Sequence, residues 1–331
     1  MSENTNPWVM VTGASGYIGG QVAKTFQERG YRVVGVDWRK IPGRDNFCNV
    51  HMNRNCDEQS VANMVRTLDI EIIVNTAGSS LVGPSVQDPA PYYVNNVGSM
   101  AKFIDNLNKV GWKGTFIFSS SASVYGEPIT EVIDEDHPKA PISPYGQTKW
   151  DGEVLLQDSA RAYGMKMIAL RYFNACGADL AGAHGQEPNA THLVARICEE
   201  VLFGRELTVF GNSYPTKDGT CIRDYLHVQD IAEAHLAAIP IAKAGELQSF
   251  NLGMGAGSSN LEVIQAFETA VGQKVNFKFG PIREGDPSIL IANTDKFKTA
   301  TGWQPKHSDL ATIVQSAWLW YNSDTYNRLR G

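Results

Sequence analysis

The sequence predicts an α/β protein, a doubly wound parallel sheet with a smaller C-terminal α/β lobe. Three observations carry this. Short β-branched runs alternate with longer amphipathic ones through the first half, a glycine-rich turn follows the first run, and the texture changes after about residue 175. Strand–helix alternation implies parallel strands joined by crossover helices. Apolar runs without polar alternation are what strands covered on both faces require.

In chain order, "WVMV" (8–11), "RVVGV" (32–36), "EIIV" (71–74), "GTFIF" (114–118) and "KMIAL" (166–170) read as strands. Between them lie helical patterns such as "QVAKTFQERG", closed by Gly30 at the position where a left-handed residue ends a helix. Beyond 175, "NACGADLAGAHGQEPNA" is rich in Gly and Ala and reads as a loop. A helix ("THLVARICEEVLFG"), a strand ("LTVFG") and a long loop to Arg223 follow. A helix then starts at about Asp230, which reads as its N-cap. The expected domains are residues 1–175, with segments around 215–240 returning to them, and residues 176–331.

At 331 residues and 43% hydrophobic, the chain can bury a large core plus a second lobe. A net charge of −6 and the lack of a basic stripe argue against a nucleic-acid partner. No run approaches membrane-spanning length, and "MSENTNPWVMVTG" lacks the layout of a signal peptide, so a cytoplasmic chain with no membrane partner is expected. Cys48, Cys56, Cys176, Cys198 and Cys221 form neither a disulfide framework nor a metal pattern. His192, His227 and His235 lack ligand spacing and read as structural, so no metal is expected.

"VTGASGYIGG" (11–20) follows the first strand and opens the first helix. Gly13, Gly16 and Gly19 allow a tight turn, close backbone approach to a pyrophosphate, and a helix N-terminus that attracts anionic charge. An ordinary turn with incidental glycines is the competing reading. Asp37 counts against it: it ends the next strand, 24 residues after Gly13, where a carboxylate can bind adenosine ribose hydroxyls. That carboxylate favours NAD over NADP; Arg39 and Lys40 pull weakly the other way.

The fourth strand runs into "SSSASVYG" (119–126), and "SPYGQTK" (143–149) opens the helix before the fifth. Tyr145 and Lys149, four residues apart, share a helix face. Alone, such a pair is an ordinary surface feature. Beside Ser121 and over a nicotinamide it becomes a proton relay. Lys149 and the nicotinamide charge favour phenolate and lower the Tyr145 pKa, and Ser121 bridges the substrate hydroxyl to it.

With these residues in place, the sequence resembles the extended short-chain dehydrogenase/reductase superfamily, and within it the UDP-glucose (UDP-galactose) 4-epimerases. The resemblance covers nearly the whole chain through "SSSASVYG", "SPYGQTK", "LRYFNACGA", "THLVARI", "VFGNSYPTKDGTCIRDYLHVQDIAEAH", "FNLGMG" and "IREGD". It implies a Rossmann-type domain with tightly bound NAD that is regenerated each turnover, and a UDP-sugar inverted at C4 through a 4-keto sugar. It further implies that Tyr17, Ile18, Ala77, Gly78, Asn95 and Tyr172 join the glycines, Asp37, Tyr145 and Lys149 around NAD. Asn174, Arg223 and Arg283 match residues at the UDP phosphates and Asp286 a ribose carboxylate. Leu193, Thr208 and Phe210 match the uridine side. A homodimer through helices near 90–108 and 146–162 is implied by the resemblance alone.

Three positions depart from the pattern. The family's adenine-binding Asp is replaced in "NVHMNRNCDE" by Met52, Asn53 or Arg54, of which Asn53 offers an amide oxygen. Ser80 stands where some members carry a lysine. Leu290 stands where the C2 substituent is gated, between the tyrosine of hexose-restricted members and the small residues of permissive ones. A UDP-N-acetylglucosamine/UDP-N-acetylgalactosamine 4-epimerase, or a dual-specificity enzyme, is therefore the nearest alternative. A UDP-pentose 4-epimerase uses the same residues. A 4,6-dehydratase needs a carboxylate pair where Ala122 and Ser123 stand. A non-catalytic NAD-sensing protein needs the glycine turn but not the relay.

Overall fold

The computed structural model describes residues 6–41, 43, 45–282 and 287–330. A seven-stranded sheet runs, edge to edge, Leu247–Leu252, Lys166–Tyr172, Thr115–Ser121, Ile72–Asn75, Trp8–Thr12, Arg32–Val36 and Val50–Met52. Pairing from Thr115–Ser121 across to Val50–Met52 is parallel. The chain enters at Trp8–Thr12, builds outward to one edge, then returns and builds toward the other. Strand order therefore reverses between Trp8–Thr12 and Ile72–Asn75, and ligands of such sheets bind outside the carboxyl ends at that switch point.

All five expected strands form, two of them extended. The Thr115 strand continues through the serines to Ser121, and the Lys166 strand through Arg171 to Tyr172. Both faces of the sheet are buried. On one, Met10, Val34, Ile73, Phe116 and Phe118 pack with Val61, Val65, Phe103, Leu107 and Leu156 from flanking helices; on the other, Val9, Val11, Val33, Val74 and Ile117 are buried as well. Each such side chain contributes about 1.5–3 kcal/mol on burial.

The helix Pro144–Tyr163 has clear stop signals at both ends. Ser143 caps it by accepting a hydrogen bond from Gly146 N at 3.1 Å, Pro144 takes the first turn, and Gly164 ends it in the left-handed region at φ 69°.

The chain forms two compact units. One holds the residues up to Gly126, Pro138–Arg171 and Ala232–Phe250; the other holds Glu127–His137, Tyr172–Ile231 and Asn251 onward. Against the expected residues 1–175 with a return around 215–240, the returning segment is Ala232–Phe250, and Glu127–His137 goes to the second unit. Glu127–His137 belongs to the second unit because its strand Val132–Ile133 pairs with Ile289–Ala292. Ala232–Phe250 belongs to the first because it leads into the edge strand of the large sheet.

The second unit packs the helices Leu193–Leu202, Asn260–Val271 and Leu310–Tyr321 around Ile197, Phe267, Ile313 and Trp320. The stretch expected to be loop begins with a short strand, Asn174–Cys176, parallel to Tyr225–His227. Asp230 is not an N-cap. The helix starts at Val228, and the Asp230 carboxylate accepts from Lys306 N, His307 N and Ser308 Oγ at 3.0, 2.8 and 2.5 Å, tying a later loop down. Among the described residues, no helix is long and apolar enough to cross a membrane.

His227 is fully buried in this unit. Gln229 N donates to its Nδ1 at 3.0 Å, and its Nε2 lies 2.9 Å from Ser316 Oγ. Burial lowers its pKa from 6.5 to about 4, against the opposing pull of Asp230; His307 lowers it further, while Asp179 and Asp309 raise it. The unfolded chain therefore protonates first as pH falls. The stability His227 confers is complete above about pH 6.5, declines toward pH 4 and is gone below it; the full difference is about 3 kcal/mol. Thermal unfolding of His227→Gln is expected to start from a lower midpoint at pH 7 and to fall less steeply than wild type between pH 6.5 and 4. Parallel curves would remove His227 as the cause.

Candidate active site

The glycine turn sits at the switch point, against the end of the Ile72–Asn75 strand. Gly13 N donates to Val36 O at 2.8 Å, and Gly16 N to Gly13 O at 2.9 Å. A Cβ on Gly13 would stand 2.7 Å from Ala77 N, and one on Gly19 only 2.1 Å from Gly13 O. Only glycine permits this closeness. No side chain caps the helix Tyr17–Glu28, whose first residues are Tyr17 and Ile18. Its first N–H groups suit an anion.

Asp37, 6% exposed, accepts from Ser15 N at 3.1 Å and Arg39 N at 2.9 Å. The carboxylate is thus held at the end of its strand, with lone pairs remaining for two hydroxyls. Arg39 Nε stands 3.8 Å from Asp37 Oδ1, so this cation is drawn to Asp37. Asn53 lies beside them; with its amide turned to satisfy its neighbours, its nitrogen donates to Trp38 O at 2.7 Å and Asp37 O at 3.2 Å. Its oxygen is then left to accept. The cradle and the carboxylate together fit an adenine dinucleotide.

On the other side of the switch point, Gly78 follows Ala77. A Cβ on Gly78 would meet Asn96 Oδ1 at 2.9 Å and lie 3.8 Å from Lys149 Nζ. Asn95 and Asn96 occupy a π-helical turn, Val94–Gly98, whose extra residue turns both amides toward Ser79. Asn95 Nδ2 donates to Ser79 Oγ at 2.9 Å. Asn96 accepts from Ser79 N at 2.7 Å and donates to Ser79 O at 2.9 Å and Thr148 Oγ1 at 3.0 Å. Sequence reasoning missed Asn96, which ties this loop to the helix carrying Lys149. Ser80 is exposed.

Ser121, Tyr145 and Lys149 come together in the same unit. Ser121 stands near enough to the Tyr145 hydroxyl to draw its pKa down, while Ser121 Oγ donates to Ser123 Oγ at 3.2 Å. Ser123 N donates to Ser121 Oγ at 3.2 Å, and Tyr145 N donates to Ser85 Oγ at 3.2 Å. Lys149 is buried. Its Nζ donates to Ser119 O at 2.8 Å and lies 5.8 Å from the centre of the Tyr145 ring. Burial lowers the Lys149 pKa to about 8. The Tyr145 pKa is raised in the chain by itself, whereas the expected lowering includes the nicotinamide charge. Burial pushes it up, Ser121 pulls it down and neighbouring Tyr92 adds to the rise. Desolvation thus outweighs the depression expected from Lys149.

Tyr172, the last residue of its strand, is buried. In the second unit, Arg223 is 7% exposed and is the register partner of Leu290. Asn174 pairs with Tyr225, two residues further on. A Cβ on Gly280 would stand 2.8 Å from Thr208 Cγ2 and 3.3 Å from the Phe210 ring, so both side chains pack directly against this glycine. Leu193 opens the helix Leu193–Leu202. Arg283 and Asp286 lie outside the described residues.

The shared "RDYLHV" and "FNLGMG" motifs have a structural basis in Asp224. Its carboxylate accepts from Met254 N at 2.6 Å, Gly255 N at 3.0 Å and Ala292 N at 3.2 Å. Burial raises its pKa to about 6 against the opposing pull of those N–H groups.

A phosphate cradle at the switch point, with a tyrosine–lysine pair on a neighbouring strand rim, defines an NAD-dependent enzyme of the short-chain dehydrogenase/reductase type. Comparison with known proteins narrows the class. Residues 9–253 match the NAD dependent epimerase/dehydratase family. A UDP-glucose 4-epimerase from Halalkalibacterium halodurans is 38% identical over 318 residues, 95% of each chain. The crystal structure of a UDP-glucose-4-epimerase from Stenotrophomonas maltophila, with bound NAD and formylated UDP-arabinopyranose, gives a TM-score of 0.90 at 31% identity, covering 98% of this chain and 99% of that one. The UDP-Glc/GlcNAc 4-epimerase of Campylobacter jejuni gives 0.81 at 36% identity, covering 95% and 99%. The chain belongs to the NAD-dependent epimerase/dehydratase family.

Proposed function

We propose that the protein catalyses reversible C4 epimerisation of a UDP-hexose, UDP-glucose and UDP-galactose, through a 4-keto sugar. The convergence of Ser121, Tyr145 and Lys149 on one buried site carries this reading. When bound, NAD supplies the hydride acceptor and donor. The protein's own groups handle the proton: Tyr145 takes it from the sugar 4-hydroxyl, Ser121 aligns that hydroxyl, and Lys149 stabilises the phenolate. Tyr145 then returns the proton when the sugar presents its other face.

The glycine turn with Tyr17 and Ile18, Asp37, Ala77, Gly78, Asn95 and Tyr172 hold the cofactor in this reading. The Asn53 oxygen accepts from the adenine amino group. Asn174, Arg223 and Arg283 hold the diphosphate, Asp286 the ribose, and Leu193, Thr208 and Phe210 the uridine. Binding energy from the remote nucleotide retains the intermediate while the sugar stays mobile. The size of Leu290, smaller than the tyrosine of hexose-restricted members, supports admission of an N-acetyl group as a second reading. The working form is a cytoplasmic homodimer. In support, Val94 (72% exposed) and Val154 (41% exposed) lie on the helical segments expected to pair, and the five cysteines are free, as in a reducing compartment.

The test incubates purified protein, with no added NAD, with UDP-glucose, UDP-galactose, their N-acetyl counterparts and a UDP-pentose pair, following the anomeric protons by NMR. Equilibration of the hexose pair is expected. Inertness toward every pair would overturn the reading.

A further inference from the structure

We propose that Glu153, held by Arg171 and Ser120, is a positioning residue for the proton relay. Tyr145, Lys149 and Glu153 recur every four residues along Pro144–Tyr163, so they lie on neighbouring parts of one helix face. Opposite them the Thr115–Ser121 strand ends in three consecutive serines, and each serine takes one of the three. Ser121 stands beside the Tyr145 hydroxyl, the Ser119 carbonyl accepts from Lys149 Nζ at 2.8 Å, and Ser120 Oγ donates to Glu153 Oε1 at 2.6 Å. The strand end is therefore held to the helix at three neighbouring rungs, two of them by hydrogen bonds.

The third rung is the rigid one. Glu153 and Arg171 are 1% and 3% exposed, and the guanidinium meets the carboxylate through two bonds, Nε to Oε1 at 2.9 Å and Nη2 to Oε2 at 2.6 Å. Arg171 Nη1 also donates to the Tyr125 hydroxyl at 2.8 Å, which ties in the turn just after Ser121. Ser249 Oγ, from the edge strand, fills the remaining side of the carboxylate at 2.9 Å. A buried bidentate pair with its lone pairs satisfied holds orientation more firmly than it adds stability. Freeing the serine strand from this anchor lets the Tyr145 and Lys149 rungs drift, and misplacement of about 1 Å is enough to slow a positioned reaction severely.

The inference rests on the proposed role of Tyr145, and the experiment separates the two. Replacing Glu153 strips a buried guanidinium of its counter-ion and confounds folding with function, so the test cuts single hydroxyl bonds instead. Ser120→Ala cuts the bond to the relay strand. Ser249→Ala cuts a comparable bond to a strand without relay residues. With Ser120→Ala, kcat is expected to fall about tenfold or more at unchanged KM. The Tyr145 limb of the pH profile should move upward, as should the phenolate absorbance titration, read as the difference from Tyr145→Phe. Ser120→Thr restores both. Ser249→Ala lowers the melting temperature but keeps kcat and the pH limb of wild type. Equal effects from the two alanine variants, or a wild-type profile in Ser120→Ala, would overturn the positioning role. Turnover by Tyr145→Phe would instead remove the relay reading itself.

Discussion

Tyr145→Phe is expected to fold, to keep its NAD and to lose turnover by about 10²–10⁴-fold, the usual contribution of a positioned acid–base group. The substitution removes one oxygen. The bond from Tyr145 N to Ser85 Oγ belongs to the backbone and survives, as does the ring beside Lys149. Only the hydroxyl beside Ser121 is lost. Turnover is read by NMR exchange, and NAD content by absorbance after denaturation. Activity within tenfold of wild type would show that another group takes the proton.

Gly19→Ala is expected to abolish retention of NAD. The new methyl would fall 2.1 Å from Gly13 O, 2.5 Å from Thr76 Oγ1 and 2.7 Å from Gly13 C. Two of those atoms are backbone and cannot swing aside. The turn must open, at about 1–3 kcal/mol of overpacking, and the backbone approach to the pyrophosphate is lost with it. Gly30 makes the control. A Cβ there meets nothing within 4 Å, although φ is +86°. Gly30→Asn should therefore lose a little stability and no NAD. Full NAD content in purified Gly19→Ala would contradict the assignment of the turn.

The places of the tyrosine–lysine pair and of the glycine turn are legible because they lie in local spacing. Three glycines between a strand and a helix, and a tyrosine four residues before a lysine, need no tertiary information. Asn96, Glu153 and Arg171 were not singled out, because their partners are distant in sequence. Glu153 continues the four-residue spacing of Tyr145 and Lys149, and that repeat was available to a reader. Its meaning depends on Ser120, 33 residues away, and on Arg171, which the sequence does not align with it. The strand Val50–Met52 escaped because three residues carry no periodicity, and Leu247–Leu252 because "LQSFNL" mixes polar with apolar residues. The upward pull of burial on the Tyr145 pKa is illegible for a related reason. Neighbouring charge can be read from spacing, whereas desolvation is a property of the packed site.

The central claim is that hydride and proton leave and return within one closed site. UDP-galactose carrying deuterium at C4, incubated with the purified protein in ordinary water without added NAD, tests it most directly. The account predicts UDP-glucose that keeps deuterium at C4, because the carbon-bound label is removed and returned without meeting solvent. Loss of the label to water, or its accumulation in free reduced cofactor with stoichiometric keto sugar, would contradict it.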